Sequence, residues 1–504
     1  MQTFDYVVVG GGSAGCAVAA RLARDTKASI CVLEAGPADN DIRVKIPFAL
    51  ISLMGSTLDW RRQSAPMASL NGRQIAVPRG KMLGGSGSIN SMLWFRGRRD
   101  DFDGWDVPGW GWSDVETAFE EVEERTTPQR IQTAHPIAEA FGQAFGANDP
   151  GANSTPERTS AGVVHTNMRK GQRWSAADAF LRPAQASGRV EVITGAEVAR
   201  VLMSDDRASG VELRDGRQIA ARGAVVLSAG AIESPMILMR SGLGPSAHLR
   251  EHGIEVKRDI AGIGANLHDH PGVGLHFAGG NSGYGITMRQ LPRWALSPLR
   301  YAFGRTGVLA SPTVEANAFY RVGDGDGPPD VQTHFIPFFL NWKGPSRFVW
   351  GAGYFADVVV SRPKSRGRLS IGRDHYTPHI DFALLSDPYD LDLLERGIVK
   401  LRDILAKTPF DAQGAREMHP GEEVNGAALR EHILASCGTA YHPVGTVAMG
   451  ERAPLDSQLR LRGVQGLYVA DASVMPKVTS ANTNAPSMMI GWRAGGFIAQ
   501  ALKG

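Results

Sequence analysis

Residues 5–34 (DYVVVGGGSAGCAVAARLARDTKASICVLE) constrain this chain more than any other stretch. The run Tyr6 to Val9 has the continuous apolar character of a buried strand. It breaks into Gly10-x-Gly12-x-x-Gly15, and Ala14 to Arg24 continues with helical character. In such a turn Gly10 lets the chain reverse sharply, and Gly12 removes a side chain where backbone must approach a pyrophosphate. Gly15 lets the helix pack close to the strand. The helix start at Ser13 and Ala14 presents unpaired N–H groups and the positive end of a dipole to phosphate. A second strand, Ser29 to Leu33, ends at Glu34 and Ala35. The Glu34 carboxylate is placed to accept from ribose hydroxyls and to disfavour a 2′-phosphate. An isolated glycine turn says little, but strand, helix, second strand and terminal acid together imply an AMP-containing cofactor. FAD and NAD both remain open at this point.

A chain of 504 residues exceeds one compact core, so two domains are expected. Hydrophobic residues at 43% and charged residues at 21% describe an ordinary globular protein. The net charge is only +3, and the short basic clusters at Arg96–Arg99 and Arg362–Arg368 are interrupted, so no nucleic-acid partner is expected. Of three cysteines, Cys16 and Cys31 fall inside the nucleotide unit and Cys437 is left over, which excludes a CxxC site and a disulfide framework. That usage fits a reducing cytosol. With the fold starting by residue 5 and no apolar run of transmembrane length, a cytoplasmic protein without a transmembrane segment is expected.

The fold class expected is α/β: a Rossmann-like domain carrying an added β-meander, plus an α+β substrate domain with an antiparallel sheet. Val190–Thr194, Glu197–Met203, Gly210–Leu213 and Gln218–Ala221 alternate like strands, and Ala224–Leu227 is a continuous apolar run. That run ends in Ser228-Ala229-Gly230, a second close approach to a nucleotide. Leu467–Ala470 is a short buried strand ending at Asp471, and a long helix with Pro486 in its first turn runs to about Ala501. Residues 1–155, 191–275 and 431–504 are assigned to the cofactor domain. Residues 156–190 and 276–430, with the strands His334–Leu340 and Tyr354–Val360 and helical pattern over Pro388–Lys407, are assigned to the substrate domain.

Beside the N-terminal unit, six ordered runs then carry a resemblance: Arg79–Arg96 (RGKMLGGSGSINSMLWFR), Gly230–Pro245 (GAIESPMILMRSGLGP), Gly264–His270 (GANLHDH), Tyr441–Thr446 (YHPVGT), Tyr468–Pro476 (YVADASVMP) and Asn484–Gly491 (NAPSMMIG). Over its whole length the chain resembles the glucose-methanol-choline (GMC) oxidoreductases, FAD enzymes acting on alcohols. The resemblance implies FAD near Gly84, Gly85, Ser86 and Asn90, in a glycine-rich loop leading into a helix. It implies further contacts at Val198, Ala229, Gly230, Asp471, Ala472 and the helix start at Pro486. Where some members attach FAD through a histidine, this chain has Ile89, so non-covalent FAD is expected. His442 is implied as the base that takes the alcohol proton, and Asn484 as the amide that stabilises the developing alkoxide.

No metal is expected, although His268 and His270 flank Asp269. His165, His334, His375 and His379 are read as structural or surface residues. The partners expected are a small-molecule alcohol and an electron acceptor, either dioxygen or a quinone or other carrier. With Trp60, Trp94, Phe95, Phe335, Phe338, Phe339 and Trp342 as candidate lining, a primary aromatic or otherwise apolar alcohol is expected. A non-redox FAD-containing lyase of the same fold and a choline-type dehydrogenase remain as alternatives. For choline, Glu315 is the acid to consider.

Overall fold

The computed structural model describes residues 1–146, 158–280, 282–340, 350–407, 410 and 414–501. Strand Gln2–Val9, helix Ser13–Asp25 and strand Ile30–Glu34 form as the apolar runs dictate, with the two strands parallel and Tyr6 beside Ile30. Val190–Thr194, Gln218–Leu227 and Leu467–Val469 extend this parallel sheet. Val198–Ser204 and Arg207–Leu213 return onto it antiparallel, as the meander.

The two strands expected at 218–221 and 224–227 are one strand, Gln218–Leu227. The register slips once, between Phe4 and Tyr6. Gly223 stands there, and a Cβ on it would come 2.9 Å from the Asp5 carbonyl oxygen. A residue without a side chain thus lets the strand bend instead of ending.

The last helix, Asn484–Ala501, lies against Ser13–Asp25. The approach is close because Gly491 and Gly495 face the first helix: a Cβ on Gly491 would overlap the Ala14 carbonyl, and one on Gly495 would stand 2.6 Å from Arg21 Cβ. Both helices therefore begin side by side, with the Ser13 hydroxyl donating to Asn484 Oδ1 at 2.7 Å.

A second sheet is antiparallel throughout. Its order is Arg416–His419, Pro271–Ala278, Gly353–Val360, Val331–Ile336, Ala316–Tyr320 and Ser160–Val163, with Gly438–Thr439 also on Pro271–Ala278. The domain division expected at 275 falls inside strand Pro271–Ala278, and Gly438–Thr439 pairs with this sheet although it lies in the stretch assigned to the cofactor domain. The boundary at 155/156 lies outside the described residues.

One local expectation is corrected. The glycine-rich run leads not into an α-helix but into a single 3-10 turn, Gly85–Ser88, and the next helix is Arg99–Asp103. Gly84 and Gly85 take positive φ, the Ser88 hydroxyl donates back to the Leu83 carbonyl, and Asn90 Oδ1 accepts from the Met92 amide. Side-chain bonds to local backbone compete here with helix formation. Among the described residues, no helix is long and apolar enough to cross a membrane.

Candidate active site

A cavity of about 850 Å³ opens at the C-terminal ends of the parallel strands and reaches the antiparallel sheet. Ligands of open α/β sheets bind at such strand ends. Gly10 lines it with φ of +101°, and a Cβ there would stand 2.5 Å from the Ser228 carbonyl oxygen. Gly12 lines it too, with nothing nearer its missing Cβ than the Gly85 Cα at 3.9 Å. Gly15 faces the other way, where a Cβ would overlap the Gly10 carbonyl, so its role is packing. Ser13, Ala14, Glu34 and Ala35 continue the wall. Glu34 Oε2 accepts from the Gly11 amide at 3.0 Å and Oε1 from Gly36 at 2.8 Å, while burial pushes its pKa up to about 7.

The opposite wall holds Gly85, Ser86, Ile89 and Asn90, with Val198, Ala229, Gly230, Asp471 and Ala472 beyond. Asp471 ties the loops together: Oδ2 accepts from the Gly230 amide at 2.9 Å and the Ser234 hydroxyl at 2.6 Å, and Oδ1 accepts from the Ser473 amide at 2.8 Å. Gly84 and Pro486 are not on the wall. Gly84 donates its amide to the Gly11 carbonyl at 2.7 Å, and Pro486 is buried in the first turn of the last helix. Asn90 is held by the buried guanidinium of Arg173, whose Nη1 donates to Asn90 Oδ1 and whose Nη2 donates to its carbonyl, both at 2.7 Å. Arg173 also donates to the carbonyls of Val44 and Gly87. It is the clamp of this loop, and no motif pointed to it.

These walls fit a pyrophosphate-bearing cofactor. Backbone lies bare at Gly10 and Gly12, and the helices beginning at Ser13, Gly230 and Asn484 all start on the cavity. Among the buried polar atoms on the cavity without a hydrogen-bond partner is the Asn484 Nδ2 amide. Its own Oδ1 is taken by Ser13, so the amide hydrogens are left for a bound group.

His442 stands on the cavity between His270 and Asn482. Its protonation follows from its neighbours. His270 Nε2 lies 2.9 Å from the Thr479 carbonyl, which can only accept, so His270 carries its hydrogen there. Burial drives the His270 pKa down to about 4, leaving a lone pair on Nδ1. His442 Nδ1, 3.0 Å away, must then be the donor. Burial, then the His270, His334 and Arg79 charges, hold the His442 pKa well below the ordinary 6.5. The ring is neutral, and its lone pair lies on Nε2, where the Asn482 amide donates at 3.2 Å. Asn482 is oriented by Gln332, whose Nε2 donates to its oxygen at 3.1 Å.

The run Leu267–His270 divides into three tasks. His268 Nδ1 donates to the Asn266 carbonyl and Nε2 accepts from the Val478 amide, a structural neutral ring. Asp269 Oδ1 accepts from the amides of His270 at 2.7 Å and His442 at 2.9 Å, and burial raises its pKa to about 7. His270 orders the tautomer of His442. Ligand atoms of Asp269, His270 and His442 do fall within 4.8 Å of one another, but both His270 nitrogens and both His442 nitrogens have the hydrogen-bond partners just named.

The aromatic lining expected from sequence is largely elsewhere. Trp94, Phe95 and Phe335 are buried in the main core, Phe338 packs with Phe48 and Tyr284, and Phe339 is not among the lining residues. Trp342 lies outside the described residues. Trp60 does line the cavity, at the Val198 end, under Lys81 and Arg62, whose partners are Glu197 and Glu233. On the antiparallel sheet the wall is Ile336, Leu340, Phe355 and Val359, with His334, read from sequence as structural or surface, and Asp357. Glu315 is fully buried off the cavity, accepting from the Ser311 hydroxyl and the His135 amide.

A family model described as GMC oxidoreductase matches residues 4–272, and a second of the same description matches 363–491. The chain belongs to the GMC oxidoreductase family, and it is an FAD-dependent oxidoreductase acting on alcohols. It is 34% identical to an alcohol dehydrogenase [acceptor] of Pseudomonas putida, over 98% of this chain and 95% of that one. It is 35% identical to an oxygen-dependent choline dehydrogenase of Rhizobium etli, with the same coverage. The solved pyridoxine 4-oxidase from Mesorbium loti superposes with a TM-score of 0.86, at 28% identity and over 99% of each chain.

Proposed function

We propose that the protein oxidises a primary alcohol with an apolar body to the aldehyde, with His442 as general base. The observation that carries this reading is the lone pair on His442 Nε2, held toward the cavity by His270 on the far side of the ring. The substrate hydroxyl displaces the Asn482 amide from His442 Nε2, which takes its proton, and Asn484 Nδ2 donates to the oxygen as negative charge develops. Asn482 orients the ring edge. When bound, FAD supplies the acceptor for the hydride that leaves the carbinol carbon. Ile89, an alkyl side chain on the cavity wall, supports non-covalent FAD, held at the glycine turns, Glu34, Asn90, Val198, Ala229, Gly230 and Asp471.

Ile336, Leu340 and Phe355 support an apolar substrate body. Choline is disfavoured because Glu315 is buried elsewhere and Asp357 already pairs with His334 at 3.0 Å. Ala440, small and on the cavity, leaves room beside His442, and dioxygen or a quinone is read as the acceptor. The three free, buried cysteines support a cytoplasmic setting. The division into a cofactor domain and a substrate domain is also a proposal, with the boundary moved from 275 to about 270 so that strand Pro271–Ala278 stays whole.

Anaerobic mixing of the purified holoenzyme with a panel of primary alcohols tests the proposal. Bleaching of the oxidised-flavin band is expected with apolar alcohols. A yellow protein that none of them bleaches refutes it and favours the lyase reading, in which His442 acts without flavin reduction.

A further inference from the structure

Helix Leu291–Gly304 turns its apolar side outward. Few of its residues are covered, and these fall at helical spacing on one side: Trp294 in part, Ser297 and Tyr301 fully. That inner side is fully engaged. The Trp294 indole donates to the Gly285 carbonyl at 2.9 Å and packs on Phe48 with ring centroids 5.7 Å apart, and the Tyr301 hydroxyl donates to the Lys45 carbonyl at 3.1 Å. At about 100° per residue the opposite side carries Pro292, Ala295, Leu296, Leu299 and Phe303, all exposed. Leu296 is 46%, Leu299 56% and Phe303 90% exposed. A surface helix ordinarily presents polar residues there. Met288 and Trp350, the latter bridged to Ile286, continue the exposed apolar surface past the helix start.

The charges of this segment have one sign. From Pro271 to Val314 the chain holds Arg289, Arg293, Arg300 and Arg305 and no Asp, Glu or Lys. Arg293 and Arg300 lie along one edge of the apolar side, with Arg289 one turn before them. Arg293 and Arg305 stand over the rings of Tyr284 and Tyr301, at 4.8 and 5.0 Å, and among the described residues none of the four makes an ion pair with a carboxylate. An apolar strip edged by arginines is the pattern of a helix that lies in the plane of an anionic lipid surface. A second copy of the chain fits worse. A two-fold contact centred on this helix sets arginines against arginines, with no acid in the segment to receive them.

We propose that the outer face of Leu291–Gly304 docks the enzyme on an anionic lipid bilayer. Leu296, Leu299 and Phe303 enter the acyl boundary, and Arg289, Arg293 and Arg300 meet the headgroup phosphates. The helix packs through Trp294 on Phe48, whose 3-10 turn Pro47–Ala49 runs on into Leu50, Ile51 and Met54 of the cavity wall. Docking therefore sets the segment that carries one wall of the cavity next to the lipid. It does not depend on which substrate the enzyme oxidises, or on whether it oxidises one.

The test is sedimentation of the purified holoenzyme with vesicles of phosphatidylcholine alone and of phosphatidylcholine with an equal part of phosphatidylglycerol. Binding about tenfold or more tighter to the anionic vesicles is expected, weakening as salt is raised. Arg289→Gln/Arg300→Gln is expected to remove the preference for phosphatidylglycerol, and Leu299→Ser/Phe303→Ser to weaken binding to the anionic vesicles about tenfold. Both variants change exposed side chains, so flavin content and denaturation midpoint should stay at wild-type values. A solvatochromic dye on Phe303→Cys, attached selectively because Cys16, Cys31 and Cys437 are buried, should shift to the blue on anionic vesicles. No binding to either vesicle, binding indifferent to lipid charge, or binding that survives both double substitutions overturns the proposal. A dye that stays in water on vesicle-bound protein also overturns it, since another surface then makes the lipid contact. A dimer that Leu299→Ser/Phe303→Ser splits, without vesicle binding, overturns it in favour of a second copy.

Discussion

His270 sets the tautomer of His442, the proposed base, and substitution can separate that role from packing. In His270→Leu the Nδ1–H of His442 loses the only acceptor it has among the described residues, a 3.0 Å bond in a buried setting. Leaving such a donor unsatisfied costs about 1–3 kcal/mol. At about 1.4 kcal/mol per factor of ten, this corresponds to a loss of roughly 5- to 150-fold in the rate constant of flavin reduction, if the whole cost falls on orienting the base. His270→Asn puts an amide oxygen near the position of Nδ1 and is expected to restore most of the rate. The assay is anaerobic stopped-flow reduction across pH, with flavin content and denaturation midpoint measured for each variant. A Leu variant with wild-type rate refutes the reasoning, as does an Asn variant no faster than the Leu variant.

Three further outcomes are expected. Asn484→Ala removes the unpartnered amide and should slow flavin reduction about 100-fold with little change in substrate dissociation constant, and a purely affinity effect would contradict the alkoxide role. In the wild type, only the neutral ring accepts the proton and its pKa lies below 6.5, so the reduction rate should stay flat as pH falls from about 8 to 6.5 and drop only below that; a limb at or above 6.5 would show that burial does not control this ring. Gly10→Ala meets both a φ of +101° and the Ser228 carbonyl, and should purify without yellow colour, whereas retention of FAD at wild-type stoichiometry would remove Gly10 from the cradle.

The N-terminal unit, the meander and the last helix were legible because each rests on a local pattern: an apolar run both faces of which are covered, a period-two alternation, or a proline in a first helical turn. Even there the bend at Gly223 joined two expected strands into one, since continuity of a strand depends on what its neighbour does. The aromatic residues were visible but not their side of the wall. Trp94, Phe95 and Phe335 fill the core as well as they could line a pocket, and nothing in their local sequence separates the two.

The sequence by itself determined the class of cofactor and the sheet that holds it, because short-range spacing dictates where backbone lies bare, while His442 and Asn484 came forward as the pair to examine only through the resemblance to the family. Only the tertiary structure decided which nitrogen of His442 carries the proton, and that Arg173 clamps the Asn90 loop. The same holds for the placing of His334 and Asp357 beside the base. Those facts depend on groups far apart in the chain, such as the Thr479 carbonyl behind His270 and Gln332 behind Asn482. A hydrogen bond acts over about 3 Å and takes no account of sequence separation.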